Sequence, residues 1–338
     1  MNKCLRLQFL SILSLVLLFS GINSAFAEEL VIYSGRSDRF VKPVVKAFTE
    51  KTGIKAIVHS GSSTALLNKL KLEGARTSAD IYISNDAGNL EKGNELNLFQ
   101  AVNSQLAGNI PANYRAPNNH WVGLSARARV LVVNSKQTET DFVQSVFDLA
   151  DPRLKGKLAI THSSNESYIA GVTVYMQKAG EEKTKTWLKG MKKNVDSSVF
   201  NKHSKIVKAV ASGKKSIGLV NHYYIYRHLD KHPDAAIKVF LPDQGKEGMG
   251  VAWNVAGAAV SRYSKHKVLA DKFMAFVISE EGQKLFAKVN REYPTRIGVD
   301  AASSIPAAGS YKVADVPMVE LGRKRNATID LIESIGMP

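Results

Sequence analysis

Tyr223 and Tyr224 stand side by side after the run Ser216-Ile217-Gly218-Leu219-Val220-Asn221. Phenolate oxygen is a hard, anionic donor, and Fe(III), small and highly charged, favours such donors over imidazole or thioether. A free phenol ionises near pH 10, so ligation at neutral pH needs the metal and nearby positive charge to displace the proton. Acid should then release the metal. Adjacency alone carries little, because eleven tyrosines in 338 positions give about 0.4 adjacent pairs by chance. The setting says more: the pair follows a strand leaving the core, where side chains can point into a cleft, whereas neighbours inside a strand point to opposite faces.

Ligands of open α/β sheets bind beyond the carboxyl ends of the strands. Hydroxyls and phenols dominate the segments that fall there, Tyr33 to Arg36, Ser60 to Thr64, Asn85-Asp86, Thr161 to Tyr168 and Asn221 to Tyr224. Ser62, Ser63 and Thr64 begin a helix, where free backbone N–H groups and hydroxyls could hold an anion, or where one of them simply caps the helix. His222, His228 and His232 invite a zinc reading, since His228 and His232 lie one helical turn apart, but Pro233 follows at once and no carboxylates cluster nearby. Asp38, Asp80 and Asp86 have no serine and histidine at triad spacing, and no phosphate-binding or dinucleotide fingerprint occurs. The chain reads as a binding protein, not an enzyme.

The elements that must position these groups alternate. Leu30 to Tyr33 reads as a strand, Val41, Val44, Val45 and Phe48 share one helical face, Ile54 to His59 is a second strand, Ala65 to Leu72 a helix, and Ala79 to Ser84 a third strand. This order predicts a parallel α/β sheet. Two long β-rich stretches, Trp121 to Asn134 and Gly250 to Val260, serve as crossings between two discontinuous lobes and could act as a hinge. The expected division is 28–125 with 258–300 for the N-terminal lobe, 126–257 for the C-terminal lobe, and a helical tail over 301–338 packing on a lobe.

Lys3 and Arg6 precede an apolar run from Leu7 to Phe19, and Ala25-Phe26-Ala27 follows, which predicts a secretory signal peptide over residues 1–27. Cys4 is the only cysteine, so the mature chain has no disulfide and no thiolate site. The formal charge is +16, an excess that suits anionic ligands or anionic metal chelates. Export, and lysines spread along the chain without interleaved aromatics, argue against nucleic acid.

Several segments resemble the periplasmic ferric-iron-binding proteins of bacterial ABC importers: Val31-Ile32-Tyr33-Ser34-Gly35-Arg36, Trp121 to Val130, Gly218-Leu219-Val220-Asn221-His222-Tyr223-Tyr224, Asn254 to Ala259, and Glu292-Tyr293-Pro294. They occur in order over nearly the whole mature chain. The resemblance implies the two-lobed periplasmic binding protein fold of the second type, with a hinge and an interlobe cleft. It implies that Tyr223, Tyr224 and Tyr168 ligate Fe(III), and that Arg127 holds carbonate or another synergistic anion. Some relatives add a histidine or tyrosine after the first strand. Here that stretch reads Ser37-Asp38-Arg39-Phe40, so Tyr33 becomes a candidate fourth ligand.

On this reading a periplasmic monomer takes ferric iron or a ferric chelate, its lobes close, and an inner-membrane permease receives the cargo. An oxyanion- or polyanion-binding protein of the same fold, using Ser62, Ser63, Thr64 and Arg127 alone, is the alternative. A secreted hydrolase is the alternative from another class.

Overall fold

The computed structural model of the chain describes residues 29–195 and 199–338, so the leader expected over 1–27 lies outside the described residues. β1 (Leu30–Ser34) buries Leu30 and Ile32 completely. The helix α1 (Asp38–Thr52) turns Phe40, Val41, Val44, Val45 and Phe48 inward and stops at Gly53, whose φ of 73° is a left-handed conformation that glycine adopts without a Cβ clash. β2 (Ala56–Ser60), α2 (Ser63–Glu73), β3 (Ile81–Ser84), α3 (Ala87–Glu95) and the short β4 (Phe99–Gln100) follow. β1 pairs parallel with both β2 and β3, as helical crossovers between them require.

β5 (Val122–Asn134) is buried along its whole length. Beyond it lie β6 (Leu158–Ala159), α4 (Glu166–Ala179), α5 (Glu181–Asn194), α6 (His203–Ala211), β7 (Ile217–Asn221), α7 (His222–Leu229) and β8 (Ile237–Phe240). β9 (Ala252–Ser261), also wholly buried, then returns antiparallel to β5, from Ala252 opposite Arg129 to Ala258 opposite Val122. α8 (Lys267–Ile278) and α9 (Glu280–Asn290) pack back on α1, where Phe48 and Phe273 meet edge to face at 5.1 Å, and β10 (Tyr293–Pro294) adds to β5.

The sheet therefore runs β2-β1-β3-β9-β5-β7-β6, with β4 on β9 and β8 and β10 on β5. The three strands of the opening alternation, β1, β2 and β3, are parallel as it predicts, while the sheet as a whole is mixed. The parallel pairs sit at the two ends, and the long strands β5 and β9 pair antiparallel with everything between them. Sense of pairing is set by contacts across more than a hundred residues, which local alternation does not encode.

The tail forms two helices, α10 (Glu320–Arg323) and α11 (Arg325–Ile335). α10 lies against α3, while α11 lies against α4 and α5. A Cβ on Gly322 would stand 2.5 Å from the Cβ of Glu91, so the absence of a side chain there is what lets α10 approach α3 closely. The tail thus packs on α3, α4 and α5.

A buried ion pair fixes the loop after β1. Arg36 donates from one nitrogen to both carboxylate oxygens of Glu292 at 3.0 Å, and Ser125 donates to the same carboxylate at 2.5 Å. Burial pushes the Glu292 carboxyl up, but the guanidiniums of Arg36 and Arg127 and the Ser125 hydroxyl outweigh it and hold it below its ordinary value.

Candidate functional site

The strand β7 ends at Asn221 and α7 begins at the next residue, which places Tyr223 and Tyr224 in the first helical turn. Asn221 does not cap the helix with its side chain; its amide donates instead to the Ser167 hydroxyl at 3.2 Å and the Tyr223 hydroxyl at 3.4 Å. The first N–H groups of α7 thus keep the positive end of the helix beside the phenols. The two rings lie 4.4 Å apart, tilted by 35°. Tyr223 meets the edge of Phe40, and Tyr224 packs on His203 at 5.1 Å.

Tyr168 occupies the first turn of α4, capped by Asn165, whose side-chain oxygen accepts from the N–H groups of Ser167 and Tyr168. It is buried, and its hydroxyl has no hydrogen-bond partner among the described residues. Burial pushes its phenol up, and Arg129 pulls it down. In Tyr224 the neighbouring Tyr223 is the larger cause of an upward shift, ahead of burial. Phenols held this way stay protonated in the empty protein and need a strong cation to ionise them.

A cavity of about 610 Å³ opens onto Tyr223, Tyr224, Ser167 and Asn221 on one wall and Ser62, Thr64 and Asn85 on the other, with Arg325 of α11 at its edge. Tyr168 is not on that wall. Beneath the cavity a void of about 10 Å³ is bounded by Arg127, Arg129, Ser167, Asn221 and Trp253, room for about one water.

Arg127 and Arg129 point from β5 toward this void. Arg127 donates one nitrogen to the Asn85 carbonyl, and its Nε and Nη1 are buried without partners. Arg129 has one nitrogen 3.4 Å from the His203 ring nitrogens and from Asn221 Oδ1, and its Nε and Nη2 are likewise unpartnered. Burial lowers Arg129 to about 10, partly offset by Tyr175, Tyr168 and Tyr223. Burial, reinforced by Arg129 and Arg127, keeps His203 neutral. Buried donors left open in this way are unusual in folded proteins, and an anion beside them would satisfy them.

Ser62 is an ordinary cap, accepting from the Ala65 N–H at 3.2 Å. Ser63 and Thr64 do face an anion, but it is the protein's own: the carboxylate of Glu166 accepts from the Ser63 hydroxyl at 3.2 Å and from the Thr64 hydroxyl at 3.3 Å, and from the Asn89 amide at 3.3 Å. Tyr33 is not brought to the cavity. Its buried hydroxyl donates to Glu73 at 2.9 Å, with the Lys69 ammonium over its ring, because its side chain leaves β1 toward α2. The zinc reading also fails at His222, whose Nδ1 accepts from the Ala128 N–H and whose Nε2 donates to the Arg291 carbonyl. Among the described residues no group of three histidine, cysteine or carboxylate side chains is spaced to hold a metal.

Sequence reasoning missed Arg129, His203, Glu166 and Arg325. Glu166 and Arg129 lie inside segments already singled out, two residues from Tyr168 and two from Arg127. His203 is the first residue of α6, a helix whose buried apolar residues begin only at Ile206.

A family model described as bacterial extracellular solute-binding protein matches residues 76–315. Iron uptake protein A1 of Synechocystis is 33% identical over 302 residues, covering 87% of this chain and 83% of that one. The Fe(3+)-binding periplasmic protein of Serratia marcescens is 28% identical over 327 residues, covering 96% and 95%. The solved structure of the Trichodesmium protein IdiA (FutA) with iron and citrate superposes with a TM-score of 0.81 at 31% identity, covering 92% of this chain and all of that one. The fold is that of type II periplasmic binding proteins.

Proposed function

Because the chain belongs to the bacterial extracellular solute-binding proteins, which are binding proteins and not enzymes, we propose that it captures ferric iron in the periplasm and hands it to an inner-membrane ABC permease. The phenolate oxygens of Tyr223, Tyr224 and Tyr168 ligate the metal, and Arg127 holds carbonate or another synergistic anion. The observation that carries this reading is a set of buried polar groups left without hydrogen-bond partners among the described residues, the Tyr168 hydroxyl and nitrogens of Arg127 and Arg129, with Arg129 pulling the Tyr168 phenol down and the start of α7 uncapped by a side chain. Relatives whose names state Fe(3+) binding and iron uptake support the same cargo.

The chemistry is capture. Fe(III) displaces the phenolic protons, Arg129 favours the phenolates, and the anion on Arg127 completes the coordination. The lobes, 28–125 with 258–300 and 126–257, close about β5 and β9, and the cargo binds the closed form better than the open one, which makes closure depend on it. Residues 1–27 direct export.

The test is to add ferric citrate to metal-free protein and record the visible phenolate-to-iron charge-transfer band. The band should form at neutral pH and disappear in Tyr223→Phe and Tyr224→Phe. A colourless protein that holds no iron at neutral pH overturns the proposal, and anion binding that is indifferent to both substitutions favours the oxyanion-binding alternative.

A further inference from the structure

A second cavity, of about 540 Å³, shares only Tyr224 with the first. Arg39, Lys208, Arg227, Lys231, Lys288 and Arg291 bring six cationic side chains to it, against one carboxylate, Asp230. That carboxylate is already paired with Arg291 at 2.7 Å. The charged ends of Arg39, Lys208, Lys231 and Lys288 enter no ion pair among the described residues. So many like charges around one concavity repel each other unless an anion lies between them.

Two of the cations are held in place. The guanidinium carbons of Arg227 and Arg39 stand over the Phe40 ring at 4.5 and 4.6 Å. Arg227 also donates to the Val289 carbonyl at 3.3 Å, while its Nη1 is buried and unpartnered. Burial, then the Arg39 charge, pushes Arg227 below its ordinary value. Stacked guanidiniums present rigid forks of N–H donors, which match the paired oxygens of carboxylate and phosphate. The volume suits a small molecule and exceeds what a lone ion fills. The cations also come from opposite walls, Arg39 and Lys288 from α1 and α9, Lys208 and Arg227 from α6 and α7.

We infer that this cavity is a binding site for a small oligoanion, a molecule with two or more closely spaced carboxylate or phosphate groups, held by Arg39, Arg227 and Lys231 and bridging the two walls of the cleft. The site stands independently of iron ligation by Tyr224, because its donors are cations outside the phenol cluster.

Isothermal titration of the metal-free full chain with inorganic pyrophosphate, and separately with citrate, tests it. At least one should bind at one site per chain, and the preferred probe tells phosphate from carboxylate. The exposed-site double variant Arg39→Gln/Lys231→Gln should weaken binding by about tenfold or more, with its melting temperature unchanged. High salt should weaken it further, and Tyr223→Phe should leave it intact. Arg227→Lys, which keeps the charge but loses the fork, should give an intermediate loss. Failure of both probes to bind, or undiminished binding in the double variant, overturns the inference, and neither result bears on the iron band.

Discussion

The carboxylate of Glu166, the first residue of α4, accepts a hydrogen bond from the hydroxyl of Ser63, the first residue of α2, at 3.2 Å. Glu166 lines the same cavity as Ser62 and Thr64, and under the proposed closure this contact forms when the two lobes meet. A second bridge runs beside it, Arg325 of α11 to Asp86 at 3.2 Å, and Asp86 is also held by Asn254. Burial and then the Asp86 charge push the Glu166 carboxyl above its ordinary 4.5, against the pull of Arg325, Ser63 and Thr64.

The sign of that shift gives the first prediction. A raised carboxyl binds its proton more tightly in the closed protein than in the open or unfolded one, so the ionised form opposes closure. The opposition is absent below the ordinary carboxylate range and is fully present above the raised value. Glu166→Gln, which keeps the shape without the charge, should therefore raise the melting temperature at neutral pH and shift small-angle scattering toward the compact form. Both differences should fade as the pH falls toward 4.5. A variant less stable than wild type at neutral pH would contradict this.

Acid release of iron should depend on Arg129, because it is the cation that lowers Tyr168. Without it the phenols hold their protons more tightly and compete better with the metal. Arg129→Gln should bind iron about tenfold more weakly at neutral pH and lose the charge-transfer band at a higher pH than wild type on acid titration. An unchanged release profile would remove Arg129 from the proposed role.

Arg36 and Glu292 are both wholly buried. Removing one partner strands the other charge, so Arg36→Ala should lower unfolding free energy by about 3–5 kcal/mol in urea titrations. Arg36 also helps lower the Tyr224 phenol, so folded variant protein should take up iron, but more weakly than wild type.

Tyr33→Phe separates a structural tyrosine from the proposed ligands. Loss of the hydrogen bond to Glu73 should lower stability by about 1 kcal/mol, while the iron band keeps its position and intensity. A shifted band would restore Tyr33 as a ligand.

Much of the first half of the fold is legible because its signals are local. The apolar faces of β1 and α1, and the glycine that ends α1, sit within a few residues of one another. Other elements lack that signal. The helix α3 carries two glycines and α5 is half lysine and glutamate around Trp187, Leu188 and Met191; both become helices by tertiary packing. The site divides in the same way. Tyr223 and Tyr224 are visible because they follow a strand whose end can be read. The approach of His203 to Arg129 spans 74 residues, and the occupation of the Ser63 and Thr64 hydroxyls by Glu166 spans about a hundred; no local pattern marks either.

The last residues of the described chain bear on how the protein can be handled. The Pro338 carbonyl accepts from the Ser163 N–H at 2.8 Å, and the Met337 carbonyl accepts from the Ser163 hydroxyl at 3.1 Å, while Ser163 itself lines the large cavity. Anything joined after Pro338 emerges at the rim of the cleft. A polyhistidine tag placed there would set metal-binding imidazoles beside Ser163 and the cavity it lines, so affinity handles and reporter fusions belong away from Pro338.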